Sequence, residues 1–201
     1  MSSSEIRVRV DDGSFCLSDR GEIAPETLDF SNGLIATMNI GAMIPTGIHT
    51  GDVKVRATAA TGPPTTDDVT EWEEVIEASV HAPHGELRVE TLYSGPPAQL
   101  PLLSQAGPGW YRLRAYARGR DIARDAVLDD SAEQYYLVCW PAPQTTPLII
   151  RATDLTGRGL RTGAVKQIAT PAPSEPVRAD PEQQQEDPIR RNLLKAARKK
   201  P

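Results

Sequence analysis

What this chain of 201 residues lacks narrows its class before any motif is considered. It has no run of 18 apolar residues, the length a helix needs to cross a bilayer. Its first residues, Met-Ser-Ser-Ser-Glu, lack the basic stretch followed by an apolar one that marks a secretory signal. A soluble, cytoplasmic protein is the expectation. Only two cysteines occur, Cys16 and Cys139. They belong to no spaced metal-binding cluster, and each sits among apolar residues, where a reduced thiol packs as a small hydrophobe. Helical periodicity of ordinary length is missing from residues 1–164, because the chain's 18 prolines and 15 glycines interrupt it too often. Also absent are a Gly-x-Ser-x-Gly, a phosphate-binding Gly-rich loop and a paired Cys/His arrangement. The chain is therefore expected to be non-enzymatic, without cofactor or metal; its oligomeric state stays open.

What is present is a β pattern with an uneven charge. The formal net charge is -5. Residues 1–164 hold 14 Lys and Arg against 22 Asp and Glu, whereas residues 165–201 hold 8 against 5. An acidic domain repels nucleic-acid phosphate, so nucleic-acid or anionic-membrane contact is expected only through the basic tail. The domain itself suits a basic protein partner.

The centre of the pattern runs from Gly109 to Pro141. Tyr111, Leu113, Ala115 and Ala117 alternate with Arg112, Arg114, Tyr116 and Arg118, as in a strand with one buried face. Tyr135 to Trp140 is apolar at nearly every position, as in a strand covered on both faces. Earlier, Ile6, Val8 and Val10 alternate with arginines and end at Asp11-Asp12-Gly13, a tight hairpin turn leading to Phe15-Cys16-Leu17. Leu34 to Ile44 is broken at Gly41. Val53, Val55 and Ala57 alternate with Lys54, Arg56 and Thr58. Residues 71–81 fit a helical face (Trp72, Val75, Ile76, Ser79, Val80) and also a strand face (Trp72, Glu74, Ile76, Ala78, Val80); the β-rich surroundings favour a strand. Pro83-His84-Gly85 then turns the chain, so residues 71–92 read as a hairpin. Leu148-Ile149-Ile150 adds an edge strand. The reading is one all-β, antiparallel sandwich over residues 5–155.

Residues 156–187, rich in Ala, Pro, Glu, Gln and Asp towards their end, read as a disordered linker, since burial there does not offset ordering entropy. Residues 188–201 read as a short basic, helix-prone tail. Its motif of Ile189, Arg190, Arg191, Leu193, Leu194, Lys195 and Arg198 suits a partner groove or an anionic surface.

The strand order, with the Gly-Asp-Val-Lys-Val-Arg-Ala strand, the acidic strand opening at Trp72-Glu73, Gly-Trp-Tyr-Arg-Leu-Arg and Tyr-Leu-Val-Cys-Trp-Pro-Ala-Pro, resembles the competence protein J family over about residues 5–150. The resemblance implies a small soluble β protein and, since that family includes an inhibitor of a DNA-entry nuclease, a basic nuclease as partner. The Arg118–Asp121 segment and the tail depart from it, and it supplies no catalytic residues.

Two surfaces follow as candidates for partner contact. Glu71, Glu73, Glu74 and Glu77 would face a cationic nuclease cleft, unless they merely form a solvated face. Arg118, Arg120 and Asp121, followed by Arg124 and Asp125, would hold an acidic surface or ligand carboxylate through guanidinium forks; local pairing with Asp121, Asp125, Asp129 and Asp130 is the plainer alternative. Trp110, at a strand mouth beside Gly109, is a candidate recognition aromatic, whereas Trp140 reads as core. His81 and His84 lack a third ligand, and His49 reads as hydrogen-bonded in its turn. The leading function is a protein-binding module, an inhibitor or immunity-type protein of a nuclease. An adaptor tethered by its tail is the alternative.

Overall fold

Alternation of apolar and polar residues builds eleven strands in a computed structural model that describes residues 4–65 and 68–168. They are β1 (Ile6–Val10), β2 (Ser14–Asp19), β3 (Ala36–Thr37), β4 (Ala42–Pro45), β5 (Thr50–Ala59), β6 (Glu74–Ala82), β7 (Leu87–Glu90), β8 (Gly109–Arg118), β9 (Val127–Leu128), β10 (Gln134–Pro141) and β11 (Leu148–Ala152). One helix, α1 (Leu155–Ile168), follows them. Seven strands form a large sheet in the order β1-β5-β10-β8-β6-β11, with β9 also on β5. The other four form a second sheet, β3-β4-β2-β7.

The inner faces of both sheets share one apolar cluster. Phe15, Leu17, Ile44 and Val89 from the small sheet meet Val53, Ile76, Leu113 and Leu137 from the large one. Trp140 is buried too, as its apolar run suggests, but it packs on the outer face with Val75, Tyr116 and Val138. Both cysteines are buried and unpaired. Residues 74–82 are a strand, so the period-two reading of that segment holds.

Three expectations are corrected. The large sheet is mixed rather than antiparallel: β5 runs parallel to both β10 and β9. The turn at Asp12 and Gly13 is present, with φ of 51° and 70°, the left-handed pair that a tight two-residue turn requires. Yet β1 pairs with β5 while β2 pairs with β4 and β7, so the turn carries the chain from one sheet to the other. The same holds for residues 71–92, where β6 joins β8 and β11, and β7 joins β2.

The third correction is α1, which stands where a disordered linker was expected to begin. Its sequence has no apolar stripe; polar groups hold it. Asp154 accepts from the Gly157 amide at 2.7 Å, and Asp121 accepts from the Leu155 and Thr156 amides at 2.6 and 3.0 Å. Together they satisfy three of the amides that a helix N-terminus leaves open. Further along, the Arg161 guanidinium donates both terminal nitrogens to Glu74, at 2.9 and 3.0 Å. The tail motif from Ile189 to Arg198 and linker residues 169–187 lie outside the described residues.

Candidate arginine and aromatic cleft

Register decides which outward side chains meet on the large sheet. Arg7, Lys54, Gln134 and Arg118 lie in one row across β1, β5, β10 and β8. Arg56, Tyr136, Tyr116 and Val75 form the next row across β5, β10, β8 and β6. These positions alternate with buried Val53, Val55, Ala57, Tyr135, Leu137 and Ala117, so the rows point away from the core.

The second row contains an aromatic stack capped by guanidinium groups. Tyr136 stacks on Tyr116, centroids 5.3 Å apart and planes 21° apart, and Trp72 packs against Tyr116 at 5.5 Å with its plane tilted by 52°. The Arg56 guanidinium carbon lies 3.9 Å above the Tyr136 ring, and that of Arg118 lies 5.1 Å above Trp72. Tyr116 is fully buried in this stack. Arg118 is steadied further by Gln134, whose Oε1 accepts from Nε and Nη2 at 3.1 and 2.7 Å. Among the described residues Arg56 has no carboxylate partner. Arg118 has only Glu71, at 3.9 Å and 70% exposed. Between these groups opens a cleft of about 330 Å³, lined by Arg56, Arg118, Trp72, Gln134 and Tyr136 and also by Ser4 and the carboxylate residues Glu5 and Glu71.

The expected contact residues fall in different places. Arg118 and Glu71 meet at the cleft. Arg120 is fully buried, so it presents no fork at the surface. Its Nε and Nη2 donate to Asp154 at 2.6 and 3.0 Å, and its Nη1 donates to the Gly33 and Pro45 carbonyls at 3.2 Å. Asp121 is spent on α1. Arg118 and Arg120 likewise take Gln134, Glu71 and Asp154 in place of local aspartates, while Arg124 does act locally on Asp121. Gly47 packs so closely on this loop that a Cβ there would lie 1.8 Å from the Arg120 carbonyl oxygen.

The acidic strand turns its charge inward. Glu74 is fully buried against Arg161. Burial raises its pKa, and the neighbouring Asp154 carboxylate adds to that while Arg161 opposes it. Glu77 lies between Arg112 (3.1 Å) and Arg114 (2.7 Å), and Glu73 accepts from the Gly119 amide at 2.7 Å. Glu71 alone of the four is exposed. Trp110 is half-buried at the far end of the sheet, stacked on His81 at 4.5 Å.

His84 pairs with Glu22 at 3.2 Å, and His49 bonds Thr50 at 2.9 Å. Among the described residues no group of three His, Cys, Asp or Glu is placed to hold a metal ion. Nor is any described helix long and apolar enough to cross a membrane.

The alternation pattern already placed Arg56 opposite the core, whereas the apolar run from Tyr135 to Trp140 did not assign Tyr136 to a face. What it did not show is that they are neighbours, because the parallel pairing of β5 with β10 joins segments nearly 80 residues apart in sequence.

No family model matches the chain, and neither does any curated protein. Among solved structures it is similar to one described as crocagin biosynthetic gene J, at 17% identity and a TM-score of 0.45, over 71% of this chain and 98% of that one.

Proposed function

We propose that this protein is a non-enzymatic protein-binding module working through the arginine-capped cleft. The supporting observation is Arg56, which is exposed, laid over Tyr136 and without an acid partner among the described residues. A guanidinium already resting on a ring has less freedom to lose on binding. Arginine and aromatic side chains are also where interface energy concentrates. Two sheets enclosing one apolar cluster support reading the domain as a β-sandwich, a scaffold that would present this face rigidly.

The resemblance to the competence protein J family makes a nuclease a candidate partner. Glu73, Glu74 and Glu77 are held by protein partners and are less exposed, so such an inhibitor would rely on Glu71 at the cleft and on exposed carboxylates elsewhere, such as Asp129. The adaptor alternative rests on residues 188–201.

Partner retention from a native lysate at low salt separates these readings. The comparison uses the full chain, its R56E/R118E variant, and a chain ending at residue 168, which keeps α1 whole. Loss of the retained partner on charge reversal, with retention by the shortened chain, is the expected result. Unchanged retention by R56E/R118E would refute the cleft as the working surface. Retention by the full chain alone would move recognition to residues 169–201 and favour the adaptor. A retained nuclease that the protein inhibits would establish the inhibitor.

A further inference from the structure

The cleft's chemistry narrows the kind of partner. Its two part-buried rings each carry a guanidinium: Arg56 lies over Tyr136 and Arg118 over Trp72, while Tyr116 packs against both rings. What the stack presents is the Arg56 guanidinium and, because Gln134 holds Nε and Nη2 of Arg118, the Nη1 end of the second guanidinium; both match a carboxylate in charge. Lys54 adds a third cation beside Gln134 in the same row as Arg118. Glu71, 3.9 Å from Arg118, shows that a carboxylate is accommodated there, and at 70% exposure it is free to yield to another.

Spacing narrows it again. Arg56 and Arg118 stand on β5 and β8, with β10 between them. Two strand spacings, with a two-residue offset along the strands, put their backbone positions about 12 Å apart, wider than one carboxylate spans. Each guanidinium therefore takes its own. A long polyanion such as a nucleic acid would have to track a domain whose residues 1–164 hold 22 Asp and Glu against 14 Lys and Arg, whereas a short segment needs only the cations at the cleft.

We infer that the cleft binds an extended, acidic peptide segment of a partner protein, with one Asp or Glu side chain on Arg56 and a second on Arg118. The inference rests on the proposal that the cleft is the working surface.

The test uses the full chain and a fluorescein-labelled, end-blocked peptide, Gly-Glu-Ser-Glu-Gly, followed by fluorescence anisotropy at low salt. Three comparisons accompany it: the same peptide with Gln for Glu, an oligothymidylate of equal charge, and the R56Q, R118Q and R56K proteins. The acidic peptide is expected to bind at least tenfold more tightly than its Gln counterpart. R56Q and R118Q should each weaken it about fivefold or more, R56K by less than R56Q, and added salt should weaken it throughout. Equal binding of the two peptides, no binding of either, or wild-type affinity in both Gln variants would overturn the inference. So would tighter binding of the oligothymidylate, which would make phosphate the ligand. If the peptide fails while R56E/R118E still releases a partner retained by the wild type, the acidic-segment inference falls and the module stands. If neither responds, both fall.

Discussion

Arg120 and Asp154 meet through two hydrogen bonds, Nε to Oδ2 at 2.6 Å and Nη2 to Oδ1 at 3.0 Å, with neither side chain exposed. The contact joins the loop after β8 to the residue that opens α1. The remaining guanidinium nitrogen reaches the carbonyls of Gly33 and Pro45, so one side chain ties together four parts of the chain. Around it, Glu133 accepts from the Gly47 and Ile48 amides and from the Tyr135 hydroxyl. Charge buried this completely is tolerable only when paired and hydrogen-bonded.

Removing Arg120 alone should therefore be severe. Arg120→Met is expected to cost about 3–5 kcal/mol, because it leaves the Asp154 carboxylate buried without its cation. R120M/D154N should recover part of that loss, since a neutral Asn still accepts from Gly157. Urea unfolding of the three proteins measures both; an R120M cost below about 1 kcal/mol would show the pair to be dispensable.

Asp121 should link α1 to pH. Burial opposes its ionisation, but the Leu155 and Thr156 amides and the Thr156 hydroxyl outweigh that and hold its pKa below the ordinary value. A depressed folded-state pKa adds stability above the unfolded value, about 3.9, and that stability is lost as pH falls through the folded value. Thermal unfolding between about pH 2 and 7 should show wild type exceeding D121N by an amount that grows with pH up to about 4 and then levels. Asp121→Ala should cost about 1 kcal/mol at neutral pH. Glu74 acts with the opposite sign: its raised pKa makes its contribution weaken as pH rises above its unfolded value.

Both thiols should be inert in the folded protein. Burial, with Glu90 adding to it, pushes Cys16 up to about 12, and burial alone carries Cys139 higher still. Thiolate is the reactive form, so iodoacetamide at pH 8 should label neither cysteine natively and both in urea. Mass spectrometry reads the result; rapid native labelling of Cys16 would mean that β2 opens locally.

The aromatic stack and its caps should separate in a stability measurement. Tyr116→Ala removes a fully buried ring packed against two others and should cost about 3 kcal/mol or more. Arg56→Gln removes one exposed cation and should cost under about 1 kcal/mol. Similar costs for the two would mean that Arg56 holds the fold rather than a ligand.

Much of the architecture was legible in side-chain alternation. Ile6 to Val10, Val53 to Ala57 and Tyr111 to Ala117 each carry a period of two, and that period set which residues entered the core. Residues 74–82 fitted both periods, and the β-rich surroundings favoured the strand that the structure shows, with Ile76, Ala78 and Val80 on the buried face. The turn at Asp12-Gly13 and the break at Gly41 followed from local backbone preference. These features depend on neighbours a few residues away, so the sequence by itself determined them.

Tertiary structure decided what long-range pairing decides. Nothing local tells β1 and β2 to enter different sheets, or β5 to lie parallel to β10, and the cleft exists only because they do. Nor does composition announce α1: its anchor is Arg120 meeting Asp154, Arg161 meeting Glu74, and Asp121 capping its first turn. A charged side chain reads the same in sequence whether it will face water or a buried counter-charge. Alternation put Arg56 on an outward face, but for Arg120, an arginine of the same β domain, the fold alone placed the side chain in the core.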